Sequence, residues 1–146
     1  MKVFLDANVF FAAAGSPTGG SAFVLELAKQ KKIRVVTVAY ALVEAERNIQ
    51  QKLGEKALDR YHQNLLEVGP EVQNIDNVPM NVAKTLEQLL PLKDVPILLG
   101  AMLSDASFLL TLDRKDFLDN KKLEGSKLSF KIVTQGDFLQ KYLENR

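Results

Sequence analysis

Apolar residues in this chain fall either in short unbroken blocks or in stretches where they recur every three or four positions. The unbroken blocks do not alternate with polar residues, which is the pattern of strands covered on both faces of a sheet. Five are predicted as strands: Lys2 to Leu5, Ile33 to Val38, about Val72 to Ile75, Phe108 to Leu112, and Phe130 to Thr134. The helical period runs between them. Ser21 to Lys31 repeats Phe23, Val24, Leu27 and Ala28, with Lys29, Lys31 and Lys32 crowding its end, where the helix dipole favours cations. Tyr40 to Leu53 places Leu42, Ala45, Ile49 and Leu53 on one stripe, and a second helix from Glu55 to Val68 is set off by Gly54 and stopped by Gly69-Pro70. Met80 to Leu90 and Asp94 to Ser104 flank Pro91, and Gln135 to Leu143 forms the last helix. Strands alternating with helices indicate a doubly wound parallel α/β domain.

The 146 residues suffice for one domain, spanning 1–146, with a core that needs no covalent staples. Nineteen Lys and Arg against 18 Asp and Glu leave the chain nearly neutral, so the placement of charge carries more information than its sum. The absence of cysteine excludes disulfides, thiolate metal sites and cysteine nucleophiles. The start Met1-Lys2-Val3 passes directly into a strand and no apolar run is long enough to span a bilayer, so the expectation is a soluble cytoplasmic protein without a membrane partner. The loop Gly15-Ser16-Pro17-Thr18-Gly19-Gly20 lacks the residue order of a phosphate-cradling P-loop. His62, the one histidine, lies in a polar helical context with no serine and aspartate arranged around it, which argues against a triad hydrolase.

Candidate chemistry lies in four acids placed where strands end or helices begin. Asp6 closes Val3-Phe4-Leu5, and Glu44 follows the second strand. Asp94 opens an apolar helix, and Asp113 closes Phe108 to Leu112. Carboxyl ends of parallel strands share one edge, where sites are built. Carboxylates converging there call for a hard divalent cation such as Mg²⁺ or Mn²⁺. Each has a plainer reading. Asp6 and Asp94 also suit helix caps, and Glu44 suits a solvated face, with Glu46 as its competitor. Asp113 is the best single candidate; Asp116 either joins it or balances Arg114 and Lys115. Thr134 and Asp137 read as a helix-start capping pair.

Together these segments resemble the PIN-domain ribonucleases, the kind common as toxins of toxin–antitoxin pairs. Val3-Phe4-Leu5-Asp6-Ala7-Asn8-Val9 is similar to that family's first-strand motif. The run from Val36 to Ile49 is similar to its second-strand and glutamate motif, and selects Glu44 over Glu46. Asp94-Val95-Pro96-Ile97-Leu98 resembles its "Asp-x-Pro-Ile-Leu" helix start, and Leu110 to Phe117 its fourth-strand motif. Asp105-Ala106-Ser107 replaces the usual Gly-Ala-Asp, and Thr37-Val38 the usual Thr-Ser.

The resemblance implies a three-layer α/β/α domain whose parallel five-stranded sheet has the order 3-2-1-4-5. It also implies a Mg²⁺- or Mn²⁺-dependent endoribonuclease with Asp6, Glu44, Asp94 and Asp113 as metal ligands and catalytic acids. Asn8 and Thr111 would order the site, with Asp116 beside it, and Ser21 would donate to a phosphate. Arg47, Arg114, Lys115, Lys121 and Lys122 would follow the RNA backbone. The implied partners are RNA, an antitoxin protein and a second copy in a homodimer. Two rivals stay open: an idle PIN-like module that binds RNA or protein, and a phosphatase or DNA nuclease on the same scaffold.

Overall fold

The structure is a computed structural model that describes residues 1–145. Strand β1 (Lys2–Leu5) leads into α1 (Ala7–Gly15) and α2 (Gly20–Lys29); β2 (Arg34–Thr37) leads into α3 (Ala39–Lys52) and α4 (Glu55–Val68). Next come β3 (Glu71–Val72), α5 (Met80–Glu87) and α6 (Val95–Leu103), the last entered through a 3-10 turn at Leu92–Asp94. Strand β4 (Phe108–Leu110) is followed by a π-helical turn (Arg114–Leu118) and α7 (Lys121–Glu124), then by β5 (Lys131–Val133) and α8 (Gln135–Glu144). The five strands form one parallel sheet in the order β3-β2-β1-β4-β5, as expected, with helices flanking it.

Strand β1 lies at the centre, with Val3 opposite both Val35 and Phe108. Val3, Phe4 and Leu5 are completely buried, which accounts for the unbroken apolar block. At the carboxyl edge the Thr37 hydroxyl donates to Leu5 O at 2.9 Å, tying β2 to β1 where both chains leave the sheet. Helix α6 approaches this centre unusually closely. A Cβ on Gly100 would stand 2.9 Å from Phe4 Cε2 and nearer still to Val38 Cγ1, so only glycine lets the helix lie against β1 and the start of α3.

Several boundaries differ from those expected. β3 is Glu71–Val72 and not Val72 to Ile75; Gln73 N still donates to Thr37 O, but Asn74 then turns the chain by accepting Asp76 N at 2.8 Å. β4 stops at Leu110, because Leu112 N donates to the Asn8 side chain instead of a neighbouring strand. Helix α1 was not predicted: its sequence Ala7-Asn8-Val9-Phe10-Phe11-Ala12-Ala13-Ala14-Gly15 is apolar nearly all round and shows no helical period. The core stripe of α3 is Ala41, Ala45 and Ile49; Leu53 is largely exposed. No helix of the described residues is long and apolar enough to cross a membrane.

Candidate metal centre

Asp6 caps α1 and serves the cleft at once. Its Oδ1 accepts Ala7 N at 2.7 Å, while its Oδ2 accepts the Thr111 hydroxyl at 2.8 Å and Asn8 Nδ2 at 3.3 Å. Asn8 closes the arrangement by donating to Thr111 Oγ1 at 3.2 Å and accepting Leu112 N at 3.0 Å. Thr111 Oγ1 also accepts Asp113 N at 3.1 Å. Asn8 and Thr111 thereby join the ends of β1 and β4 through hydrogen bonds, of which Thr111 to Asp6 is buried.

Beyond β4 the π-helical turn governs the geometry. Leu118 N donates to Asp113 O at 3.1 Å and Asp119 N to Arg114 O, so each ring spans five residues. Asp113 caps this turn by accepting Asp116 N at 3.0 Å, which brings the two carboxyl groups together. Asp94 reaches them from the end of the 3-10 turn. It precedes α6 but makes no side-chain cap, so the plainer N-cap reading fails and its carboxylate stays available. Asp94, Asp113 and Asp116 each offer an oxygen within 4.8 Å of the others.

Asp6, Glu44, Asp94 and Asp113 line one cleft, together with Asn8, Phe11, Asn48, Lys52 and Lys93. Glu44 projects into it from α3, whereas Glu46 turns toward α4, 3.5 Å from His62 Nε2. His62 itself is half exposed, as expected of a surface residue. The cleft therefore holds the whole predicted quartet, with Asp116 adjoining Asp94 and Asp113.

Crowded anions away from water resist ionisation. Burial pushes Asp6 up to about 6, with Glu44 and Asp113 adding to the effect and the Thr111 and Ala7 hydrogen bonds opposing it. Burial also raises Asp94, helped by its hydrogen bond with Asp116, while Lys93 works the other way. Asp116, despite burial that would raise it, is held low by Asp94 and Lys93. The two neighbouring carboxyl groups are thus pushed in opposite directions, Asp94 up and Asp116 down.

The donor set suits a hard divalent ion. All three clustered donors are carboxylate oxygens, and hard-ion distances of roughly 2.0–2.6 Å are compatible with their spacing. Asp94 Oδ2 is buried without a hydrogen-bond partner, an oxygen that a cation would satisfy.

Other expected residues stand apart. Ser21 is buried in α2, its hydroxyl unpartnered, and does not line the cleft. Arg114 is exposed and pairs with Asp119 at 3.2 Å, and Arg47 likewise lies outside the cleft lining. Lys115, Lys121 and Lys122 line a neighbouring groove of about 560 Å³ that includes Asp116. Sequence reasoning missed Lys93, Asn48 and Lys52. The last two follow Glu44 at intervals of one helical turn, a signal that was available once Glu44 had been chosen. A wider hollow of about 690 Å³ between α1, α2 and α4 contains none of the clustered acids.

No family model matches the sequence, and no curated protein matches it. Among solved structures, the chain is similar to one in the crystal structure of VapBC2 from Rickettsia felis bound to a DNA fragment from their promoter. The TM-score is 0.58 at 16% identity, over 92% of this chain and 98% of that chain. The shared fold is a parallel five-stranded sheet in the order 3-2-1-4-5 with flanking helices. At such identity the likeness concerns the path of the backbone. Within this frame the acids lie at the carboxyl edge of β1 and β4, on α3, and at the turn that enters α6.

Proposed function

We propose that this protein is a metal-dependent endoribonuclease, the toxin of a toxin–antitoxin pair. The observation that carries the reading is the meeting of Asp94, Asp113 and Asp116 within 4.8 Å, in a cleft that also presents Asp6 and Glu44. The likeness to a VapBC2 chain and the motif resemblance support the toxin assignment and an antitoxin partner.

Asp94, Asp113 and Asp116 would hold Mg²⁺ or Mn²⁺, with Asp6 bound directly or through water. Such an ion lowers the pKa of water and neutralises charge that builds on phosphoryl oxygens. Glu44, which lines the same cleft, would orient the attacking water or hold a second ion. Thr111 and Asn8 fix the orientation of Asp6, which leaves its remaining lone pairs directed by hydrogen bonds already made. Lys115, Lys121 and Lys122 would attract the phosphates of the strand next to Asp116.

The test is incubation of labelled RNA and DNA with the protein in Mg²⁺, Mn²⁺ or EDTA, beside Asp6→Asn protein. Internal cleavage of RNA that needs the ion and is lost in the variant supports the proposal. Cleavage of DNA alone makes the protein a DNA nuclease. No cleavage of either returns it to the idle binding module.

A further inference from the structure

Lys93 immediately precedes Asp94 in the 3-10 turn, and its ammonium lies over the carboxylates. Nζ stands 3.2 Å from Asp116 Oδ2 and 3.5 Å from Asp94 Oδ2. The contact with Asp116 is a hydrogen bond; the one with Asp94 neutralises charge without giving the buried Oδ2 a hydrogen-bond partner. Lys93 is 64% exposed in its side chain, whereas those of Asp94 and Asp116 are 11% and 12% exposed. An ammonium so open to water forms a weak, easily exchanged ion pair. The acids below it are fixed by the fold, and the lysine is free to leave them.

We propose that Lys93 is a displaceable counter-ion of the metal centre and a phosphate-positioning residue. It covers Asp94 and Asp116 until a divalent ion takes their oxygens. Repulsion from that ion then turns the ammonium toward a phosphate of the arriving substrate. The flexible stem of lysine permits the movement, and the backbone position at residue 93 keeps the charge at the rim of the cleft. This inference rests on the metal-dependent reading given above.

Calorimetric titration with Mn²⁺ alone, without RNA, separates the two. Lys93→Met removes the competing charge from an exposed position and should bind Mn²⁺ on the order of tenfold more tightly than the parent. Lys93→Arg should stay within about threefold of the parent because it keeps the charge. Lys32→Met, at the amino end of β2 and so beyond the far edge of the sheet, should leave the affinity unchanged and controls for net charge.

With Mn²⁺ saturating, Lys93→Met should raise the KM for RNA by about tenfold while kcat changes little, and Lys93→Arg should restore it. Unchanged or weaker Mn²⁺ binding by Lys93→Met, in a protein whose parent binds the ion, overturns the counter-ion role alone. Tighter binding with unaltered KM overturns the phosphate contact. A parent that takes up no Mn²⁺ at millimolar concentration overturns the metal centre itself, and this inference with it.

Discussion

Thr111 donates its hydroxyl to Asp6 Oδ2 at 2.8 Å across 105 residues of sequence. Thr111 Oγ1 in turn accepts Asn8 Nδ2 and Asp113 N, so one hydroxyl orients three residues of the cleft. Thr111→Val keeps the shape and removes the bonds. It should cost roughly 1–3 kcal/mol by leaving buried groups unpaired, and should weaken Mn²⁺ binding about tenfold by freeing Asp6. Urea unfolding and ion titration check both. Unaltered metal affinity would show that Asp6 needs no such support.

Glu44→Gln should abolish metal-dependent cleavage and leave thermal stability unchanged or slightly higher, since one anion is removed from a crowded cleft. It should also lose part of the stabilisation that Mn²⁺ gives the parent. Glu46→Gln, directed toward His62, should retain cleavage. Inactivity of the Glu46 variant instead would contradict the orientation of α3.

In EDTA the protein should be most stable in mild acid. Asp6 titrates near 6 in the folded chain against an ordinary value of 3.8, and Asp94 is raised as well. The folded state therefore binds more protons than the unfolded one between these values. Stability then falls as the pH rises from about 4 through 6, and the loss is complete above the folded pKa. For Asp6 alone the change amounts to roughly 3 kcal/mol. Asp116, held low, acts in the opposite direction, so the decisive measurement is the difference between parent and Asp6→Asn melts across pH 4–8. A variant with the same pH slope as the parent would refute the buried-charge account. Added Mn²⁺ should stabilise the parent more as the pH rises, because the ion binds ionised carboxylates.

Gly100→Ala should destabilise the fold by about 1–3 kcal/mol, as a methyl group is forced against Val38 and Phe4. Because α6 begins beside Asp94, the shift should also weaken Mn²⁺ binding. Equilibrium unfolding equal to that of the parent would mean that α6 accommodates the methyl group without cost.

The near-neutral chain and the family resemblance lead us to expect a homodimer, which would bring the cationic grooves of two copies to bear on one substrate. Light scattering at tens of micromolar should report twice the 16.3 kDa chain mass. A monomer there would set the expectation aside.

The sheet was legible because its strands are uninterrupted apolar blocks, a pattern that buried parallel strands impose. Helix α1 was not, since Phe10, Phe11 and a run of alanines leave no polar face to mark a period. The acids were found by their places at strand ends and by motif resemblance. The role of Asp116 stayed open because the π-helical turn that folds it back onto Asp113 has no signature in a sequence of charged residues. Nothing in the sequence singles out Lys93; the path of the 3-10 turn places it over the carboxylates. Arg114, expected to follow the RNA backbone, pairs at the surface with Asp119, five residues on. Val38 stands where a capping serine is usual; it gives α3 no side-chain cap and instead meets Gly100 of α6.

The central position of β1 has a bearing on biosynthesis. The strand is translated before every strand it pairs with, and one of its two edges pairs with β4 more than a hundred residues later. Asp6 then waits for Thr111, and Asp94 for Asp113 and Asp116, which follow it in translation. A growing polypeptide that ends before β4 holds separate carboxylates and no assembled centre. The same holds for a prematurely terminated one. Topology thus holds back assembly of the acidic cleft until β4 and the turn after it have been translated.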